Sequence, residues 1–431
     1  MIEKTVALHL FGGFSVKRWN DLVRPMELNE MDRRSFAMML AWFLGKLEEQ
    51  DGREVDWDTI IFTGVFDLLR KIALSDIKET VHRRIRVEHP DEYHRLNQWV
   101  ADSVAPMLAP YGLESRFREY FSRPVTALQL GLDPELGLEG HSGGRIPMER
   151  NRTPAERSLQ ILEAARSYST YREFQIIKGV NSHDPRIPAI ENHLRKRMEP
   201  FLDLAGMRQL ILELDLFRVI SVADRLRYQT RWSRTPRIPE TAVLGHSLMV
   251  ATFALLLTEQ RDPCHTRRYN NFFAGLFHDL PESVTRDIVA PTKTATPGLP
   301  EIVRKIEDET VAEEIYPHMT REIAAEMRYF IDDEFTGKIS SPKGVEQVES
   351  EEIDNRYNSD DYRPLDGGLV RICDEFAAFL EAQQSIQLGV ASQILIEGAT
   401  RLHTKYTKQA TIAGVQTKEM FEQLPFRPGR Q

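Results

Sequence analysis

Apolar side chains recur three and four positions apart in four stretches of the chain. They are Phe36, Met39, Leu40, Phe43 and Leu44; Leu248, Ala251, Ala254 and Leu255; Phe272, Phe273, Leu276 and Phe277; and Leu369, Ile372, Cys373, Phe376 and Leu380. This spacing lines one face of an α-helix, and alternating, β-branched runs of the kind that form strands are scarce. The pattern predicts an all-α helical bundle whose helices close at Pro281, Pro291, Pro317 and the Gly367-Gly368 pair, where proline or glycine interrupts the ladder of backbone hydrogen bonds.

The pattern also repeats. Val16-Lys17-Arg18-Trp19 returns as Gln229-Thr230-Arg231-Trp232, 213 residues later. Gly64-Val65-Phe66 with Ser75-Asp76-Ile77 returns as Gly275-Leu276-Phe277 with Arg286-Asp287-Ile288, 211 residues later. Each pair of anchors encloses an apolar helix, Arg33 to Leu44 and His246 to Leu257. Two anchors held in register to within two residues predict a duplicated architecture, with domains over 1–205 and 206–431. The second copy carries an insertion at about 332–361, where ten acidic residues meet three basic ones. Such a segment reads as an exposed, solvated connection, in part disordered.

Composition narrows the classes. The 431 residues carry 56 basic and 65 acidic side chains, a formal charge of -9, of which the acidic segment alone supplies -7 (3 minus 10). The remainder is close to neutral and has no basic stripe of the kind that binds nucleic acid through counterion release. No apolar run approaches the roughly 20 residues needed to cross a bilayer. The first ten residues lack the features of a signal peptide, so a cytoplasmic location without membrane association is expected. Cys264 and Cys373, the two cysteines, have no neighbouring cysteine with which to form a metal or redox motif; they read as core thiols.

The residues that suggest chemistry are His246, the adjacent pair His278-Asp279, and Asp374, on three predicted helices. Two imidazoles and two carboxylates form a mixed nitrogen and oxygen donor set suited to a divalent ion with open coordination positions. His278 and Asp279 fall at the end of a helix, where the dipole and the carboxylate both favour a cation.

The segments His246-Ser247-Leu248-Met249-Val250-Ala251, Phe277-His278-Asp279-Leu280-Pro281-Glu282-Ser283-Val284-Thr285-Arg286-Asp287 and Cys373-Asp374-Glu375-Phe376 resemble the HD-domain superfamily of metal-dependent phosphohydrolases. Within it they look most like the bacterial deoxyribonucleoside 5'-monophosphatases. The likeness runs over about Leu216 to Ala399. It implies an HD-domain bundle in which His246, His278, Asp279 and Asp374 hold one divalent ion (Mn, Co, Fe, Ni, Zn or Mg). Glu282 would activate water, Arg231 would hold the substrate phosphate, Trp232 would pack against the sugar and disfavour a 2'-hydroxyl, Asp287 would bind the 3'-hydroxyl, and Lys293 would add a cation. The implied reaction is hydrolysis of a nucleotide phosphomonoester to nucleoside and phosphate.

The repeat places Arg33 opposite His246 and Asp67-Leu68 opposite His278-Asp279, while Leu162-Glu163-Ala164 set against Leu380-Glu381-Ala382 places Glu156 opposite Asp374. The first half thus reads as a degenerate copy that keeps Arg18, Trp19 and Asp76, binds no catalytic metal, and serves packing, dimer formation or nucleotide sensing. Two rival functions remain: an HD-type nucleoside triphosphate triphosphohydrolase or phosphodiesterase, and a non-enzymatic nucleotide sensor. A triphosphate needs several clustered cations, and the motif offers Arg231, Arg234, Arg237, Arg286 and Lys293. The expected partner is a small nucleotide, with self-association into a homodimer left open.

Overall fold

The computed structural model describes residues 1–75, 77, 79–122, 152–233, 235–285 and 296–426. Asp76, Arg234, Arg286, Asp287, Pro291 and Lys293 lie outside them. The described chain is helical apart from one small antiparallel hairpin, β1 (Lys338–Ser341) against β2 (Gly344–Gln347). It divides into two compact units, one made of Val16–Ala109 and Leu113–Phe217, the other of Met1–Ser15, Pro110–Gly112 and Arg218–Gln431. The boundary expected at 205/206 falls inside the first of these.

Three helices organise each unit. In the first they are α1 (Glu30–Gln50), α2 (Trp57–Ala73) and α3 (Pro154–Lys178); in the second, α4 (Val243–Glu259), α5 (His265–Phe277) and α6 (Gly367–Gln387). The starts of α1, α2 and α6 are fixed by side chains that accept orphan amide hydrogens: Asn29 from Asp32, Asp56 from Thr59, Asp366 from Leu369. Helix α4 is buried almost throughout, as its nearly unbroken apolar sequence requires.

The two triads share local geometry. A short antiparallel bridge precedes α1 and another precedes α4, Lys17 to Asn29 and Thr230 to Ala242. Arg18 and Arg231 donate their amides to Leu28 and Thr241 at 2.9 and 3.0 Å. In each case the next residue is a tryptophan in the left-handed region, with φ of 57° at Trp19 and 55° at Trp232, a conformation rarely taken by a bulky side chain. The end of each motif is also shared: Glu173 on α3 receives Arg18 Nε and Trp19 Nε1 at 2.8 and 2.9 Å, and Glu381 on α6 receives Arg231 Nε and Trp232 Nε1 at 3.2 and 3.1 Å. Counting back seven residues from these glutamates puts Arg166, not Glu156, at the position of Asp374. Glu156 instead closes the capping box at the start of α3 with Thr153.

The acidic segment is built into the second unit, contrary to its reading as a solvated connection. Ile339 and Ile353 are buried, Lys338 bridges to Leu365, and Asp354 receives Arg261 and Arg267 at 3.1 and 2.6 Å. The backbone of Thr336 occupies the space where a side chain at Gly367 would stand. The segment therefore holds the start of α6, and with it the height of Asp374.

Gly275 sets the spacing of α4 and α5. A Cβ there would lie 2.9 Å from Ala251 Cα and 3.1 Å from Ala251 N, backbone atoms that cannot turn away. Its counterpart, Gly64, faces only the flexible side chain of Met38. Gly275→Ala is expected to lower stability by about 1–3 kcal/mol, the range for overpacking, and Gly64→Ala by less. Equal thermal shifts in the two variants would contradict this reading of the α4–α5 contact.

Candidate metal centre

His246 enters from the first turn of α4, His278 caps the C-terminal end of α5, and Asp374 projects from the second turn of α6. Their potential donor atoms all lie within 4.8 Å of one another. His246 Nε2 stands 2.9 Å and His278 Nε2 3.8 Å from Asp374 Oδ1, and Asp279 Oδ2 is 3.2 Å from His278 Nε2. With ligand bonds of about 2.0–2.2 Å, adjacent donors around one ion are roughly 3 Å apart, so the set has the right scale for a single divalent ion. Asp279 stands beside this three-residue cluster.

Hydrogen bonding fixes which imidazole nitrogen faces inward. His278 Nδ1 donates to the carbonyl of Gly275 at 2.9 Å, so Nε2 points to the carboxylates. His246 presents Nε2 to Asp374, while its Nδ1 lies 3.4 Å from Glu381 Oε1. Outer groups of this kind orient a ligating histidine and set its basicity. His278 Nε2 and Asp279 Oδ2 are buried and have no partner in hydrogen-bonding geometry among the described residues, an arrangement that suits a cation. Burial by itself would drive His278 to its neutral form, but Asp279 and Asp374 outweigh it and hold the imidazole well above its ordinary value. Burial likewise opposes ionisation of Asp374, and its two histidine neighbours reverse that, holding its carboxyl well below the usual range.

Glu381 escaped the sequence reading and carries much of the geometry. It is fully buried and receives Arg231 Nε, Trp232 Nε1 and, at 2.9 Å, the hydroxyl of Thr241. Despite its burial, Arg231, Arg237 and His246 keep it ionised well below the normal carboxylate range. An acid in an otherwise apolar stretch of the helix, two turns after Asp374, was the available signal. So braced, the Arg231 guanidinium ends 3.6 Å from Asp279 Oδ2 and 4.0 Å from Asp374 Oδ1. Trp232 lies over Gly398, where a Cβ would come within 2.7 Å of the indole ring. Glu282 opens a one-turn helix, Glu282–Thr285, directly after Asp279; its amide donates to the Asp279 carbonyl and its own carbonyl accepts Gln229 Nε2 at 2.8 Å. Phe335 of the acidic segment reaches the His278 ring, at 6.1 Å between centroids.

Residues 223–403 match the family model described as HD domain. This stretch is similar to HD domains. No curated protein and no solved structure matches the chain. HD domains bind divalent metals and are typical of metal-dependent phosphohydrolases, and the four candidate ligands all fall inside the matched stretch. Among the described residues no helix is long and apolar enough to cross a membrane.

Because Glu381 faces both His246 and Arg231, Glu381→Gln should weaken binding of a divalent ion to the HD domain by about 10–100-fold, the usual cost of losing an outer-shell partner. It should also lower the melting temperature. Isothermal titration of the folded variant with Mn²⁺ checks this, and unchanged affinity would contradict the assigned role.

Proposed function

We propose that the HD domain hydrolyses a nucleotide phosphomonoester, 5'-deoxynucleotidase-like, giving a nucleoside and inorganic phosphate. The observation that carries this reading is the position of Arg231: a guanidinium held by Glu381 at the edge of the candidate ligand set, where it can fork onto two phosphate oxygens. A divalent ion bound by His246, His278, Asp279 and Asp374 would supply Lewis-acid stabilisation of phosphate charge and lower the pKa of a water.

The remaining work falls to the chain's own side chains. Arg231 orients the phosphate and offsets the negative charge that builds as the ester bond breaks. Glu282, on the turn that follows Asp279, accepts a proton from the attacking water. Trp232 presents a rigid indole whose donor edge is committed to Glu381, leaving its ring as a wall against the sugar that disfavours a 2'-hydroxyl. Asp287 and Lys293 are proposed for the 3'-hydroxyl and the phosphate. The same likeness of motif supports the first unit as a degenerate copy.

The commitment of Arg237 favours a monophosphate over a triphosphate. Arg237 is buried and turned toward Thr241 Oγ1 at 2.5 Å and the Pro239 carbonyl at 3.2 Å, so it is committed to the scaffold rather than offered to a longer phosphate chain.

Phosphate release measured across nucleoside mono-, di- and triphosphates with Mn²⁺, Co²⁺ and Mg²⁺ should be greatest with a deoxynucleoside 5'-monophosphate. Glu282→Gln should retain the ion and lose about 10²–10⁴-fold in rate, the usual contribution of a general base, whereas Asp374→Asn should lose both. Release from triphosphates alone, or full activity in either variant, would overturn the reading.

A further inference from the structure

The acidic segment reaches the candidate metal centre through one ring, that of Phe335. The helix before it, Arg321–Ile331, ends beside α5: Phe330 stacks on Phe277, the residue before His278, with ring centres 6.3 Å apart and planes 5° from parallel. The chain then turns, with the Thr336 amide donating to the Asp333 carbonyl at 2.9 Å, and the Thr336 backbone settles into the space that Gly367 leaves at the first turn of α6. Both ends of the turn are thereby fixed. Phe335 lies inside it, with its ring 6.1 Å from that of His278 and Arg371 Cζ over it, 5.2 Å from its centre.

Arg371 precedes Asp374 by three residues on α6, so the two side chains leave the same face of the helix. His278 is buried, Phe335 half-buried and Arg371 exposed. The three therefore form a stack that runs from the ligand set out to solvent, and its outer member is a planar cation backed by an aromatic ring. A guanidinium placed in this way is suited to stacking on a second flat π-system, as guanidinium planes do on unpaired nucleobases. A further phosphate is disfavoured at this point, because Asp332, Asp333 and Glu334 directly precede Phe335. A neutral base meets no such repulsion.

We propose that Arg371, set over Phe335, holds the nucleobase of the substrate, so that the acidic segment makes the site select nucleotides over simpler phosphomonoesters. The proposal rests on the phosphomonoester reading above, in which Arg231 holds the phosphate, and adds recognition of the base to it. One face of α6 then serves both ends of the ligand: Asp374 at the phosphate and Arg371, one turn earlier, at the base. Phe335 sets the separation between them. Neither Arg371 nor Phe335 touches the reacting atoms, and both act on specificity.

The test measures binding to the full chain loaded with Mn²⁺ in the Glu282→Gln background, where a bound ester is not turned over. The probes are deoxyadenosine 5'-monophosphate and 2-deoxyribose 5-phosphate, which share the sugar and phosphate and differ in the base. Isothermal titration should give the nucleotide an affinity about 10–100-fold above that of the sugar phosphate, the range that stacking of one base supplies. Arg371→Ala, at an exposed position where the fold is not at risk, should abolish that preference and leave the affinity for the sugar phosphate unchanged. Arg371→Lys, which keeps the charge and loses the plane, should abolish it too, and Phe335→Leu should reduce it. Equal affinity of the Glu282→Gln chain for the two probes, a preference that survives either Arg371 variant, or an equal loss for both probes would overturn the proposal and leave the phosphomonoester reading intact. A preference lost in Arg371→Ala, in a protein whose unmutated form releases no phosphate from the nucleotide, would sustain the proposal and overturn the hydrolysis. Binding of neither probe would overturn both.

Discussion

A single buried carboxylate, Glu381, governs the geometry of the candidate centre. Removing a carboxylate from water is expensive unless donors surround it, and here the surrounding donors are Arg231, Trp232 and Thr241, with His246 beyond them. Satisfying that one charge draws the segment before α4 against α6 and points Arg231 at Asp279 and Asp374. It also places a negative charge behind His246, whose other nitrogen meets Asp374. The left-handed backbone at Trp232 is a local cost that the buried network over-determines.

The contrast with Glu173 shows how one framework can support opposite electrostatics. Glu173 makes the same pair of bonds to Arg18 and Trp19, and the helices around it begin from equivalent bridges. What differs is the charge at the centre. Around Glu381 the candidate ligands carry an excess of negative charge that a cation would balance. Around Glu173 an arginine occupies Asp374's position and closes onto Asp67, so the positive charge is covalently part of the chain. Lys71 for Glu282 and Leu68 for Asp279 fit that exchange.

Much of this was legible in the sequence, and the omissions have physical causes. Helical spacing identified the cores of α1, α4, α5 and α6, because apolar periodicity reports burial directly. His246, His278 and Asp374 are brought together as their positions on separate helices suggested. Glu381 was seen only as part of a Leu-Glu-Ala triplet, a pattern common to amphipathic helices, which paired it with Glu163 and set Glu156 against Asp374. The bonds to Arg18 and Trp19 identify Glu173 instead, and no local pattern encodes a contact 155 residues away. The acidic segment misled for a related reason. Its composition describes a solvated loop, but Asp354 is neutralised by Arg261 and Arg267, far earlier in the chain.

Among the described residues one histidine and carboxylate cluster is suited to a metal ion, that of His246, His278 and Asp374, and the related framework around Glu173 carries guanidinium groups instead. Metal content of the full chain, measured by elemental analysis after loading with Mn²⁺ and removal of excess, decides whether that cluster is a metal centre. One ion per chain, falling to none in Asp374→Asn, is the predicted result. Two ions per chain, or one that persists in that variant, would rule this out.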